Sequence, residues 1–167
     1  MEYKKDKRTK NLTLRDIHVG DWVQVWSEET ERYSPPLKIT QICDDGTIYL
    51  VTDDEERCTP WEENIKDVDA IPIDNDILMG FGFVEDKSNP ELLVYRIKGR
   101  KGAYPDNDIF AEKSKYDYNF YFNDYKDYEG NIGVEQLPVY DNFIHILQVV
   151  LHDFFGVSDL EWKGIEQ

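Results

Sequence analysis

The run Leu37-Lys38-Ile39-Thr40-Gln41-Ile42-Cys43, the turn Asp44-Asp45-Gly46 and the return Thr47-Ile48-Tyr49-Leu50-Val51-Thr52 decide the fold. Two segments rich in β-branched and aromatic residues flank a turn whose Asp and Gly tolerate the positive φ that a tight hairpin requires. Upstream, Ile17 to Asp21 reads as a turn. Trp22 to Trp26 then alternates, with Val23 and Val25 on one face and Trp22, Gln24 and Trp26 on the other. Ser34-Pro35-Pro36 breaks the chain before the hairpin begins. Downstream, Thr59-Pro60-Trp61-Glu62 has the form of a capping box with proline at the first helical position, which predicts a helical turn. Val68 to Ile73 supplies a last short strand. Short strands, one helical turn and a closing strand predict a small SH3-like β-barrel over residues 12–73.

The remainder, residues 74–167, reads as an α+β unit. Asp74 caps a short helix through Met79, which Gly80 or Gly82 ends. Strands are predicted at Phe83–Glu85, Leu92–Lys98, Ile109–Lys113, Tyr116–Asn123 and Ile132–Leu137, the last at an edge because Pro138 cannot donate to a ladder. Alternation places Tyr116, Tyr118, Phe120 and Phe122 on one core-facing row. The clearest helix comes last, between Asp141 as N-cap and Gly156 as stop. Phe143, Leu147, Val150, Leu151 and Phe154 form its apolar stripe, and Asp141, His145, Gln148 and His152 its solvent stripe. The expected architecture is an antiparallel sheet packed by this C-terminal helix.

Composition narrows the function classes. A length of 167 residues suits one domain or two small ones, and 23 aromatics supply apolar area for a real core. Nineteen Lys and Arg against 35 Asp and Glu leave a net charge of −16. Residues 1–11 form a basic head that is expected to be disordered and solvated. Lys4, Lys5, Lys7, Arg8 and Lys10 against Glu2 and Asp6 give it +3, so the body holds −19. That balance opposes binding to a nucleic-acid backbone or an anionic membrane. No segment has the roughly 18 uninterrupted apolar residues of a membrane span. Two cysteines, Cys43 and Cys58, make neither a zinc set nor a disulfide framework and read as reduced, half-buried thiols. The chain reads as cytoplasmic.

Three blocks carry a family resemblance. Ile17-His18-Val19-Gly20-Asp21-Trp22-Val23 is the first. Ile71-Pro72-Ile73 with Ile77-Leu78-Met79-Gly80-Phe81-Gly82-Phe83 is the second. Ile144-His145-Ile146-Leu147-Gln148 with Phe154-Phe155-Gly156 is the third. In this order they resemble a family of short uncharacterised bacterial proteins, often met in mobile elements and prophage-like regions, with the pattern IGNWV, IPLTEEWLLKLGF and HQLQNLYFALTG. The chain departs from that pattern at Asp74-Asn75-Asp76 and in an insert around residues 99–118. The resemblance implies ancestry and a fold and carries no catalytic residue, since the family has no assigned activity.

Candidate chemistry is sparse. His145 and His152, seven apart, stand about 10 Å from each other along a helix, too far for one small metal ion. Asp53 to Glu56, Asp106-Asn107-Asp108 and Asp124 to Glu129 read as charged loops, and none has EF-hand spacing. Arg96, Lys98, Arg100 and Lys101 read as a solvated hairpin tip. No phosphate loop, nucleophile elbow or Cys-x-x-Cys occurs. No catalytic, cofactor-binding or metal-ligating residue is therefore assigned. Trp22, Gln24 and Trp26, with Trp61, form a candidate interaction surface of the kind aromatic-walled barrels offer to peptides. The solubility cost of exposed tryptophans favours Trp22 and Trp26 packing the barrel onto the second half. The leading reading is a non-enzymatic soluble accessory protein acting on an unknown protein partner. The alternatives are an acidic nucleic-acid mimic that inhibits a DNA-binding enzyme, and an enzyme whose site leaves no linear signature.

Overall fold

In the computed structural model, residues 9–52, 60–98, 108–126, 129–130, 132–155 and 160–165 are described. The chain divides into two units, Met1–Pro72 and Ile73–Gln167. The first unit holds β1 (Trp22–Ser27), β2 (Arg32–Tyr33), β3 (Leu37–Ile42), β4 (Thr47–Val51), β5 (Trp61–Asn64) and β6 (Val68–Asp69), with a 3-10 turn at Ile65–Asp67. The hairpin of β3 and β4 closes as its residues require: Gly46 sits at φ 91° and Asp45 Oδ1 accepts from Thr47 N at 2.9 Å.

β1 pairs three partners, all antiparallel, through Trp26↔Tyr33 of β2, Val23↔Leu37 of β3 and Gln24↔Asp69 of β6. Because backbone groups alternate sides, β2 and β3 follow each other along one edge of β1 while β6 takes the other. At the break between them Pro35 and Pro36 have no N–H to give. Ser34 keeps the ladder intact, its Oγ accepting from Val25 N at 3.0 Å and its own N donating to Val25 O at 2.9 Å. β4 pairs β3, and β5 pairs β4, giving an antiparallel half-barrel. Its core is Trp22, Val23, Leu37, Ile39, Ile48, Leu50 and Val68. Strand β1 is buried on both faces from Trp22 to Trp26, as a central strand is.

Two local expectations are corrected here. Trp61 and Glu62, predicted in a helical turn, are in β5, where Leu50↔Trp61 and Tyr49↔Glu62 pair. The ladder with β4 outweighs the local capping signal, and Thr59 lies outside the described residues. The turn comes later, over Ile65–Asp67, with Asn64 Oδ1 accepting from Lys66 N at 3.1 Å. Thr9 to Asn11, which the charge pattern assigns to the head, hydrogen-bond to the barrel: Ala70 N donates to Lys10 O at 2.9 Å and Leu12 N to Val68 O at 3.2 Å.

The second unit holds α1 (Asn75–Gly80), β7 (Val84–Asp86), β8 (Val94–Lys98), β9 (Asp108–Lys113), β10 (Tyr118–Lys126), β11 (Ile132–Gln136) and α2 (Ile144–Phe155). Asp74 caps α1, its Oδ1 accepting from Ile77 N at 2.8 Å, and Gly82 at φ 90° turns the chain out of it. The five strands are a flat antiparallel meander in the order β11-β10-β9-β8-β7. One face is apolar and buried: Tyr95, Ile109, Ala111, Tyr118, Phe120 and Phe122. α2 buries Ile144, Leu147, Val150 and Leu151, and its approach is tied to the sheet where Asn142 Oδ1 accepts from Tyr118 N at 2.6 Å. Tyr116, expected in the buried row, is 77 % exposed. It falls in the turn before β10, where Ser114 N donates to Asp117 O at 2.8 Å, so strand alternation does not govern it. Among the described residues no helix is long and apolar enough to cross a membrane.

Candidate functional site on the second sheet

Strand register fixes what the other side of the meander presents. Tyr121 pairs with Phe110, Phe110 with Arg96 and Arg96 with Val84, so these four side chains form one row across β10, β9, β8 and β7. Gln136 of β11 extends it beyond Tyr121. One neighbouring row is Asn119, Glu112, Val94 and Asp86. The other contains Val134, Asn123, Asp108 and Lys98. The side chains of Tyr121, Phe110, Arg96, Glu112, Asp108 and Val134 project opposite to the buried row of Phe120, Ala111 and Tyr95, because successive side chains alternate.

The centre of this face is aromatic. The rings of Phe110 and Tyr121 stack with centroids 5.2 Å apart and planes 13° from parallel, and both are half-buried. Val84 and Val134, toward the two sheet edges, are 61 % and 59 % exposed. Charges surround the rings. Arg96 Nη1 lies 3.6 Å from Asp108 Oδ2. Asp86 is held below the ordinary carboxylate range by hydrogen bonding from Ser88, with a lesser contribution from the Arg96 charge. The Tyr121 phenol is pushed up by burial first, then by the negative charges of Glu112 and Asp86.

A flat aromatic platform flanked by aliphatic and charged side chains suits contact with another macromolecule. Among the described residues no group of three or more His, Cys, Asp and Glu could hold a metal ion.

The residues singled out from sequence fall elsewhere. Trp22 is 1 % exposed, and Gln24 and Trp26 are also buried, so these three are core side chains in β1. Gln24 Nε2 donates to Ala70 O at 2.8 Å, and Trp26 meets Tyr33 edge-on with centroids 4.8 Å apart. Trp61 is 47 % exposed on β5, at the opposite end of the half-barrel from β6. The structure does not assemble the four into one surface.

His145 is a correction. Placed on the solvent stripe from sequence, it is 2 % exposed and stacks on Phe143 with centroids 6.1 Å apart. His145 in the first turn of α2 is buried, whereas His152, two turns on, is exposed, its Nδ1 3.2 Å from Asp153 Oδ1. His18 is an exposed turn residue, 3.5 Å from Asp21 Oδ2. Cys43 is a half-buried free thiol. Cys58, Asp53 to Glu56, Asp106-Asn107 and Arg100-Lys101 lie outside the described residues.

Strand alternation by itself picks out the buried row of Tyr118, Phe120 and Phe122 and not the Phe110–Tyr121 platform. Its signal was present: Ile109-Phe110-Ala111 and Phe120-Tyr121-Phe122 are apolar at consecutive positions, so both faces of β9 and β10 carry rings or aliphatic groups. No protein-family model, curated protein or solved structure matches the chain.

Proposed function

We propose that the protein is a non-enzymatic accessory protein that works through protein–protein contacts, made on the solvent-facing side of the second sheet. The observation that carries this is the Phe110–Tyr121 stack at the centre of a flat face whose flanking valines, Val84 and Val134, are more than half exposed. A soluble acidic chain has abundant polar residues with which to cover such a face, and here it does not. The first unit is read as an SH3-like barrel in a supporting role. Its strand order, β6-β1-(β2, β3)-β4-β5, with a 3-10 turn leading into the strand that returns to β1, supports that reading. A cytoplasmic setting agrees with the free Cys43 thiol. Nothing in the described residues favours the nucleic-acid mimic, since Asp86, Asp108 and Glu112 are interleaved with Val94, Phe110 and Arg96 instead of forming a track.

The test is quantitative capture from native-host lysate with the wild-type chain, the double variant Val84→Glu with Val134→Glu, and a control, Trp61→Ala. The reading requires a specific partner whose recovery falls at least about tenfold with the double variant and is retained by the control, with unfolding midpoints within about 0.5 kcal/mol of wild type for these exposed sites. Recovery that ignores the double variant, or turnover of a substrate in an activity screen, overturns it.

A further inference from the structure

We infer that the partner presents a basic, apolar-interleaved segment to this face, with an Arg or Lys side chain seated on the Phe110–Tyr121 ring pair and its charge turned toward Glu112 and Asp86. The inference rests on the protein-contact reading and specifies the chemistry of the partner.

Three features converge on it. The face is polarised across its central row. On one side Arg96 reaches Asp108 at 3.6 Å, so the carboxylate there has a basic partner. On the other side the row Asn119, Glu112, Val94 and Asp86 carries two carboxylates and no base. The stacked rings lie between these rows and offer a π-surface to a cation, an attraction worth about 0.5–1 kcal/mol at an exposed site and more when desolvated. Val84, 61 % exposed at the β7 end of the central row, leaves an apolar position for an alternating side chain. The body's charge of −19 then steers a cationic segment toward the surface and opposes a second acidic copy or a phosphate backbone.

The experiment titrates the full-length, isotope-labelled chain with a blocked peptide of alternating Arg and Val, followed by backbone amide shifts. Parallel titrations use the same peptide with Glu in place of Arg, and a single-stranded oligouridylate. The Arg peptide should move the amides of residues 84–86, 94–96, 110–112 and 119–121. Its binding should weaken about fivefold with Tyr121→Leu, which keeps apolar area and loses the ring. The isosteric pair Glu112→Gln with Asp86→Asn, which threatens folding least, should weaken it by a similar factor and flatten its salt dependence. No binding by the Arg peptide, equal binding by the Glu peptide or oligouridylate, shifts mapping elsewhere, or a face occupied by a second copy at sedimentation equilibrium each overturn the inference. The contact reading stands or falls separately. If the Arg peptide fails while Val84→Glu with Val134→Glu still abolishes capture, only the partner's chemistry is wrong.

Discussion

The indole of Trp162 lies directly against Gly80, so that a Cβ built on that glycine would stand 2.1 Å from Cζ3 and 2.4 Å from Cη2. Gly80 is the last residue of α1. Its carbonyl accepts from Lys163 N at 2.7 Å, and the indole meets Phe81 edge-on with centroids 5.1 Å apart. The missing side chain is thus the seat on which the segment after α2 docks. In an unconstrained helix Gly→Ala stabilises by about 0.4–1 kcal/mol. Here the overlap with a rigid ring reverses the sign, and Gly80→Ala should destabilise by about 1–3 kcal/mol in chemical denaturation. The smaller ring-free side chain in Gly80→Ala with Trp162→Leu should recover part of that loss. A single Gly80→Ala variant as stable as wild type contradicts the packing.

Asp69 is fully buried in the first unit and holds the N-terminal segment to the barrel. Tyr33 Oη donates to its Oδ2 at 2.7 Å and Asn11 Nδ2 to its Oδ1 at 3.2 Å, while Thr9 Oγ1 and Gln24 Nε2 both donate to Ala70 O at 2.8 Å. Asp69→Ala removes the acceptor for two part-buried donors and should cost about 1–3 kcal/mol. Tyr33→Phe removes one donor and should cost about 1 kcal/mol. Hydrogen exchange should show faster loss of protection at Leu12 and Ala70, whose amides bond across this junction. Unchanged protection in Asp69→Ala would show that the strap holds without the carboxylate.

How much of this was legible in the sequence follows from the range of each interaction. Features set within a few residues were readable: the Asp45-Gly46 hairpin, the Asp74 cap and the apolar stripe of α2 all rest on local chemistry. Readings that depended on a distant partner went astray. Thr59-Pro60-Trp61-Glu62 carries a good local helix signal, yet pairing with β4 makes Trp61 and Glu62 a strand. His145 and His152 share a helical face in projection, but only the packing of the first turn buries one and leaves the other in water. Alternation puts Trp22 and Trp26 on one face of β1 and Val23 and Val25 on the other, and only the tertiary packing shows that both faces are buried. The Phe110–Tyr121 platform needed register, since rings eleven residues apart in sequence meet only when Tyr121 lies opposite Phe110.

Tyr118 should govern an alkaline transition in the second unit. Its hydroxyl donates to Asn75 Oδ1, and its phenol is pushed up to about 12 by burial first and then by Asp74 and Asp76. A raised acid contributes stability that is complete below its unfolded value near 10 and is lost as pH rises through about 12. The difference in unfolding free energy between wild type and Tyr118→Phe should therefore be constant up to about pH 10, at about 0.5–1.5 kcal/mol for the lost hydrogen bond. Above that it should shrink and change sign, because Phe has no proton to lose. A difference that stays level through pH 12 would remove Tyr118 from the transition.

Asp21 gives the complementary case at acid pH. Its carboxylate is 5 % exposed in the turn before β1, with Oδ2 accepting from His18 N at 2.7 Å. Burial raises it above its ordinary value of 3.8, against the lowering effect of the His18 amide and charge. With the folded value raised, stability from this group is complete below 3.8 and is lost as pH rises through the folded value, so at neutral pH the ionised carboxylate works against the fold. Asp21→Asn keeps an oxygen that can accept from His18 N and removes the charge. Its unfolding midpoint relative to wild type should rise as pH increases from 3 to 7, and that relative gain should be smallest at the acid end. A relative midpoint that falls over this interval instead would mean that the His18 interactions outweigh burial, and the sign assigned to Asp21 would be reversed.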